Sequence, residues 1–299
     1  MLVGMHISAL FVSIFLLSVH AAPSLVARVP SPETHPLVAR LVDIDQHSCK
    51  DHLQKVETAF SDAFTLASDA VQGLSQDAHD AIFFPQDTAL VVNMYKSILS
   101  GGGEHGKKKI PVTCKDISAC TTNNHGNPPL AATTFKNRPN PNLNLCPLFF
   151  THSWTEQDLS SKQFTPNGWC KGYPNFNIAQ SLTAGHVVLH EMTHLAFIAM
   201  HAAKEAGHRY AHHPILVDST GTDDLLGKKD ENHGSKTYSQ FPPAGVITLK
   251  QRWEAYLAQK KPGGSLKKPP LVMTMVAEAY AVTATLSYLS VNCHKALHG

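Results

Sequence analysis

Apolar positions recur along this chain in two distinct rhythms. Leu53, Val56, Phe60, Phe64, Ala67 and Val71 follow one another at intervals of three and four, which puts them on one face of an α-helix. Ser48 is a capping residue at its start and Gly73 a stop. A second helix is predicted over 88–99, ended by Gly101-Gly102-Gly103, and 104–109 reads as a charged, exposed loop whose Lys107-Lys108-Lys109 run is a solvated turn. Between 110 and 150 the rhythm changes. Pro, Asn and Thr become frequent, and short apolar runs at 110–112, 130–135 and 143–150 predict strands separated by turns. Residues 151–177 read as loop. A long helix is predicted from about 177 past His201 towards Ala206, with Gly207 as its stop. After an irregular stretch to about 243, two more helices are predicted, at 247–259 and 272–291, separated by a 260–270 loop. The second would pack through Ala277, Tyr280, Ala281, Ala284 and Tyr288. The pattern is that of a mainly helical α+β domain with a small sheet beside the helix at 177–206.

Composition narrows the setting. The chain has 299 residues, 43% hydrophobic and 16% charged, with a net charge of +2 and 19 histidines. That length suits one large domain, and the small charge excludes a general attraction to nucleic acid or an anionic membrane. Residues 10–19 form an apolar run with two serines, too short for a membrane span, and Val19-His20-Ala21 fits a small-x-small cleavage site. Residues 1–21 therefore read as a secretory signal peptide, although His6 stands where a basic residue is usual. Residues 22–45 are Pro-rich and repeat Leu25-Val26-Ala27-Arg28 as Leu37-Val38-Ala39-Arg40. They read as a linker or short pro-segment, with Arg28 and Arg40 as processing positions, and 46–299 as the folded domain. In an extracellular protein the six cysteines imply three disulfides. No Asn-x-Ser/Thr acceptor is present.

The chemistry centres on Val187-Val188-Leu189-His190-Glu191-Met192-Thr193-His194-Leu195-Ala196. Residues four apart on a helix lie one above the other, so His190 and His194 can point nitrogens at one metal ion. Glu191 sits one step round, placed to reach a water on that metal without binding it. The flanks carry no charge and no proline, so this helix can be buried. A hydrolytic zinc site takes three protein ligands, so one zinc per chain is expected with the third ligand from beyond the helix. Phe197 and Met200 occupy the places where a metzincin has Gly and His. Glu278, on a later helix, is a formal candidate of the gluzincin kind. The other candidates are Asp218, Asp223, Asp224, His212 and His213, with Gly221-Thr222-Asp223-Asp224 standing out. His186, four residues before His190, reads as a histidine on the helix surface, with another cleft group as the alternative.

The pairing of His190-Glu191-Met192-Thr193-His194 with Gly221-Thr222-Asp223-Asp224 resembles the deuterolysin group of secreted fungal zinc endopeptidases, the aspzincins. Cys49 before a helix, Asn144-Leu145-Cys146-Pro147-Leu148-Phe149-Phe150 and Ala277-Glu278-Ala279-Tyr280 are similar to further segments of that family. The resemblance implies a zincin-like fold, Asp224 as third zinc ligand, Glu191 as general base, and a protein or peptide substrate cleaved outside the cell by a monomer. With sequence proximity, it also favours a Cys146–Cys170 disulfide. Two features depart from the family. Asp224 stands 30 positions after His194, so 202–219 must loop out, and Gly227 replaces a Tyr that assists the transition state, with Tyr210 and Tyr238 as substitutes the sequence offers. These departures motivate an alternative: a non-catalytic secreted zinc-binding protein, a metal scavenger or surface antigen on a peptidase-like fold. Retention of Glu191 favours the enzyme, because zinc binding alone does not need that carboxylate.

Overall fold

The computed structural model describes residues 34–102, 109–120, 132–134, 141–153, 155–207, 213–217, 221–222, 246, 249–251, 253–255 and 273–298. The expected signal peptide, Arg28, Asp218, Asp223, Asp224, His212, Tyr210, Tyr238 and Gly227 lie outside these residues.

The described chain is mainly helical with one small sheet. It opens with helix α1 (Thr34–Leu41), which runs directly into strand β1 (Val42–Ile44). Val38, Leu41 and Val42 are buried in the main core. Residues 34–45, expected as part of a linker or pro-segment, are thus built into the domain. Arg40 lies in the last turn of α1, and its guanidinium donates to the Leu99 carbonyl.

Helix α2 (Leu53–Gly73) follows, 21 residues long. Its predicted stripe holds, with Val56, Phe60, Phe64 and Ala67 buried, but every residue from 59 to 67 is buried as well. The reason is that α2 is packed on several sides, against α1, α4 (Thr88–Ser100), α6 (Ala184–Thr193) and α9 (Ala277–His298). Ser48 does not cap it. A 3-10 turn (Lys50–His52) intervenes, and the Ser48 hydroxyl donates to Asp45 and accepts from the Cys114 N–H. A short helix α3 (Gln76–Asp80) lies between α2 and α4.

Strands β2 (Ile110–Thr113), β3 (Ala132–Thr134) and β4 (Leu143–Leu145) complete the sheet. Its order is β1-β2-β4-β3. β1, β2 and β4 are parallel, and β3 runs antiparallel to β4 at the edge, packed on α6. The apolar run predicted as a strand over 143–150 changes element halfway. Pro147, with its φ preset for a first helical position, turns it into helix α5 (Pro147–Thr151). Asn144 is buried in β4 and binds across to β2 and its exit, accepting from the Thr113 hydroxyl and the Lys115 N–H and donating to the Lys115 carbonyl.

The long helix expected over 177–206 is two helices. α6 begins only at Ala184, where the Thr183 side chain accepts from the His186 N–H as an N-cap does. It ends at His194. Leu195 is extended (φ −70°, ψ 113°), and α7 (Ala196–Glu205) starts afresh. The cause of the break is an intruding backbone. The Thr222 N–H donates to the Thr193 carbonyl at 3.2 Å, the group that a continuous helix would have given to residue 197. A short helix α8 (Pro214–Val217) precedes that intruding strand of chain.

All six cysteines are paired, as Cys49–Cys114, Cys120–Cys146 and Cys170–Cys293. The expected Cys146–Cys170 bridge is therefore corrected. Cys146 follows β4 and Cys120 lies in the segment after β2; these parallel neighbours leave the sheet on the same side, while Cys170 lies on a loop carried to α9. Peptide mapping of the unreduced protein is expected to recover these three pairs. Replacing both Cys170 and Cys293 by Ala opens a closure spanning 123 residues and should cost roughly 4–5 kcal/mol in denaturant unfolding; an unchanged midpoint would contradict the pairing.

A candidate metal centre on a buried helix

Every residue of α6 is buried. Two close approaches make that possible. On one side, a Cβ on Gly185 would lie 2.5 Å from the Asp62 Cβ of α2, so only glycine allows the two helices to come this near. On the other, a Cβ on Gly221 would lie 1.8 Å from the His194 carbonyl oxygen. The Gly221-Thr222 backbone therefore lies flat against the end of the helix.

That contact orients a histidine. His194 Nδ1 is 2.9 Å from the Thr222 carbonyl oxygen, which can only accept, so the ring must carry its proton on Nδ1. The Thr222 hydroxyl also lies 2.9 Å from that of Thr193, which donates to the His190 carbonyl. One turn earlier, His190 Nδ1 is 3.0 Å from Oε2 of Glu278, in the first turn of α9. Burial works against the Glu278 charge, but the neighbouring His186 and His190 outweigh it and hold the carboxyl down at about 2. It too is an acceptor, and His190 donates from Nδ1.

Both rings thus turn Nε2 inward, and the two Nε2 atoms are 3.2 Å apart. Two lone pairs at that distance repel unless a proton or a cation lies between them. Two zinc–nitrogen bonds of about 2.0–2.1 Å at a near-tetrahedral angle would span about 3.3 Å. The donor set therefore fits a zinc ion. A carboxylate oxygen of Glu191 joins the same group, with one atom from each of the three residues lying within 4.8 Å of the others. His190, Glu191 and His194 are all at most 5% exposed. Among the described residues this is the one cluster of three such side chains able to hold a metal.

The candidates for a third ligand separate. Glu278 is turned to the Nδ1 side of His190, away from the Nε2 pair, and braces the ring. His213 lies 2.8 Å from the Thr274 hydroxyl through Nε2 and takes the Ile215 N–H on Nδ1, and burial lowers its pKa. Asp218, Asp223, Asp224 and His212 lie outside the described residues. Sequence reasoning missed two participants. His186, expected on the helix surface, is fully buried, with Nε2 3.3 Å from Glu278 Oε1. Thr222 contributes by its carbonyl; its sequence signal was the Gly-Thr pair itself. Tyr280 packs in the core as expected and donates to the Thr274 carbonyl.

Comparison with known proteins returns no match to a family model, to a curated protein or to a solved structure.

Behind α6 lies a buried carboxyl. Asp62 Oδ2 accepts the Leu159 N–H at 2.8 Å, while the Gln157 carbonyl accepts the Ala184 N–H, so the 157–159 segment is clasped between α2 and the start of α6. Burial pushes Asp62 up to about 7, against the pull of the Leu159 N–H and helped by Asp158. The folded state then binds a proton that the unfolded chain has released above its value of 3.8. This contribution is complete below that pH and is lost as pH rises towards 7. Asp62→Asn keeps the acceptor and removes the titration, so unfolding free energies measured from pH 4 to 7 should show a shallower decline than wild type; identical slopes would contradict it. A second expectation concerns Gly221→Ala. The added methyl has no space against the His194 carbonyl, so the variant should take up less of an added divalent metal than wild type by elemental analysis even where it stays folded by circular dichroism.

Proposed function

We propose that this protein is a secreted zinc-dependent endopeptidase, with His190 and His194 as metal ligands and Glu191 as general base. The observation that carries the reading is the convergence of two imidazole Nε2 atoms at 3.2 Å beside a buried glutamate carboxylate. The resemblance of the flanking motifs to the deuterolysin group supports it, and so does the docking of Thr222 on His194. Asp224 is two residues from Thr222, within about 7 Å of chain reach, and is the third ligand of this proposal. Three disulfides agree with an oxidising compartment. No helix among the described residues is long and apolar enough to cross a membrane.

His190, His194 and Asp224 would hold the ion, which when bound supplies a water of lowered pKa and polarises the scissile carbonyl. Glu191 accepts the proton of the attacking water and delivers it to the leaving amine nitrogen. Glu278 and the Thr222 carbonyl keep the two imidazoles in the required tautomer throughout. The walls of α2, α6 and α9 exclude solvent from the back of the site. Strand β3 stands at the end of the sheet order and packs on α6, and an edge strand there suits an extended peptide adding alongside it.

The test is hydrolysis of casein by the mature protein with and without a chelator. Glu191→Gln keeps size and shape while removing the basic oxygen, so zinc content should hold while hydrolysis falls by about 10²-fold or more. Asp224→Ala should lose metal and activity together. A Glu191→Gln protein as active as wild type would contradict the proposal. Zinc-loaded wild type that cleaves nothing would point instead to the non-catalytic metal-binding reading, with Gly227 as the first position to examine.

A further inference from the structure

We infer that His186 and Glu278 form a buried brace that sets how tightly the His190–His194 pair holds its ion, His186 acting through Glu278 without touching the metal. The inference rests on the metal reading above. His186, His190 and His194 follow at intervals of four along α6, so all three stand on one helix face. Glu278 reaches across from α9 and gives one oxygen to each of the first two: Oε2 to His190 Nδ1 at 3.0 Å, Oε1 to His186 Nε2 at 3.3 Å. His186 Nδ1 is in turn 2.9 Å from the Thr285 hydroxyl, two turns further along α9. His186, Glu278 and Thr285 are each at most 2% exposed.

The protons in this row are determined by what each group can do. A carboxylate only accepts, so His190 donates from Nδ1 and His186 from Nε2, while the His186 Nδ1 meets the Thr285 hydroxyl. Glu278 thus takes a bond from His186 on one oxygen and from His190 on the other. A carboxylate held by one imidazole alone can swing about its side-chain torsions. Held by two from adjacent turns of one helix, it is fixed, and the His190 ring is fixed with it. Without His186, a buried Glu278 oxygen would lose its donor, a costly state in a dry interior. A leucine at 186 would be the better helix former and would carry no polar desolvation cost. A histidine with no solvent exposure there is accounted for by the bond it gives to Glu278. The partners that orient a ligating histidine typically change metal affinity by about 10- to 100-fold.

The experiment measures zinc affinity of the mature, disulfide-bonded protein by competition with a chromogenic chelator, alongside the visible spectrum with cobalt(II) as probe. His186→Asn withdraws the donor from Glu278, whereas His186→Gln keeps an N–H near the Nε2 position. Glu278→Gln and Thr285→Val are near-isosteric changes at the two neighbours. Expected are zinc binding weakened about 10- to 100-fold in His186→Asn and Glu278→Gln, recovery of most of that loss in His186→Gln, a smaller loss in Thr285→Val, and an altered cobalt spectrum in Glu278→Gln. Equal zinc affinity in His186→Asn and His186→Gln, with both folded, would overturn the brace. Should His186→Asn fail to fold, unchanged affinity in both Glu278→Gln and Thr285→Val overturns it equally. A wild type that binds no zinc overturns the metal centre itself, a separate result from a brace that fails on a working centre.

Discussion

The arrangement depends on two hydrogen bonds made by the far nitrogens of a histidine pair. His190 gives Nδ1–H to Glu278 and His194 gives Nδ1–H to the Thr222 carbonyl. Each acceptor has no proton to give, so each dictates the tautomer of its ring. Together they bring two Nε2 lone pairs to 3.2 Å, a contact that is unfavourable on its own and favourable around a cation. The two acceptors differ in kind. One is an anionic side chain from a packed helix, the other a neutral carbonyl from a segment that ends α6 by capturing the Thr193 carbonyl.

Much of the remaining fold holds these acceptors in place. α9 must lie against α6 for Glu278 to reach two of its histidines, and Cys170–Cys293 ties α9 to the loop that precedes α6. α2 lies against another side of α6 at Gly185, where no larger residue fits. The sheet is pinned by Asn144 and two disulfides, and it presents its antiparallel edge strand β3 to α6. The buried polar groups concentrated around α6 are the cost of this site, and His186, His190, His194, Thr193 and Glu278 are all hydrogen-bonded.

Where local pattern decides structure, the sequence is readable. The stripe of α2, the helix at 88–100 and its glycine stop, and the strand at 110–113 all follow from spacing and end signals. What was not readable came from contacts between distant segments. Residues 34–45 look like a linker because their apolar residues find partners only in distant segments, α1 on α2 and β1 on β2. The helix break at Leu195 has no local breaker; it is imposed by Gly221 and Thr222. His186 reads as a surface histidine because spacing gives a face but not what covers that face. Cysteine proximity along the chain misled as well, because strand pairing brings Cys146 to Cys120 and α9 brings Cys293 to Cys170.

The central claim is that His190 and His194 converge on one divalent ion. A crystal grown with zinc and measured on both sides of the zinc absorption edge locates that ion directly. The account predicts a single anomalous peak per chain at about 2.0–2.1 Å from both Nε2 atoms, with Glu278 and the Thr222 carbonyl still on the Nδ1 atoms and the Glu191 carboxylate beside the ion without displacing either ring. An ordered chain with no peak between the two imidazoles, or with its zinc bound at some other group of side chains, would contradict it.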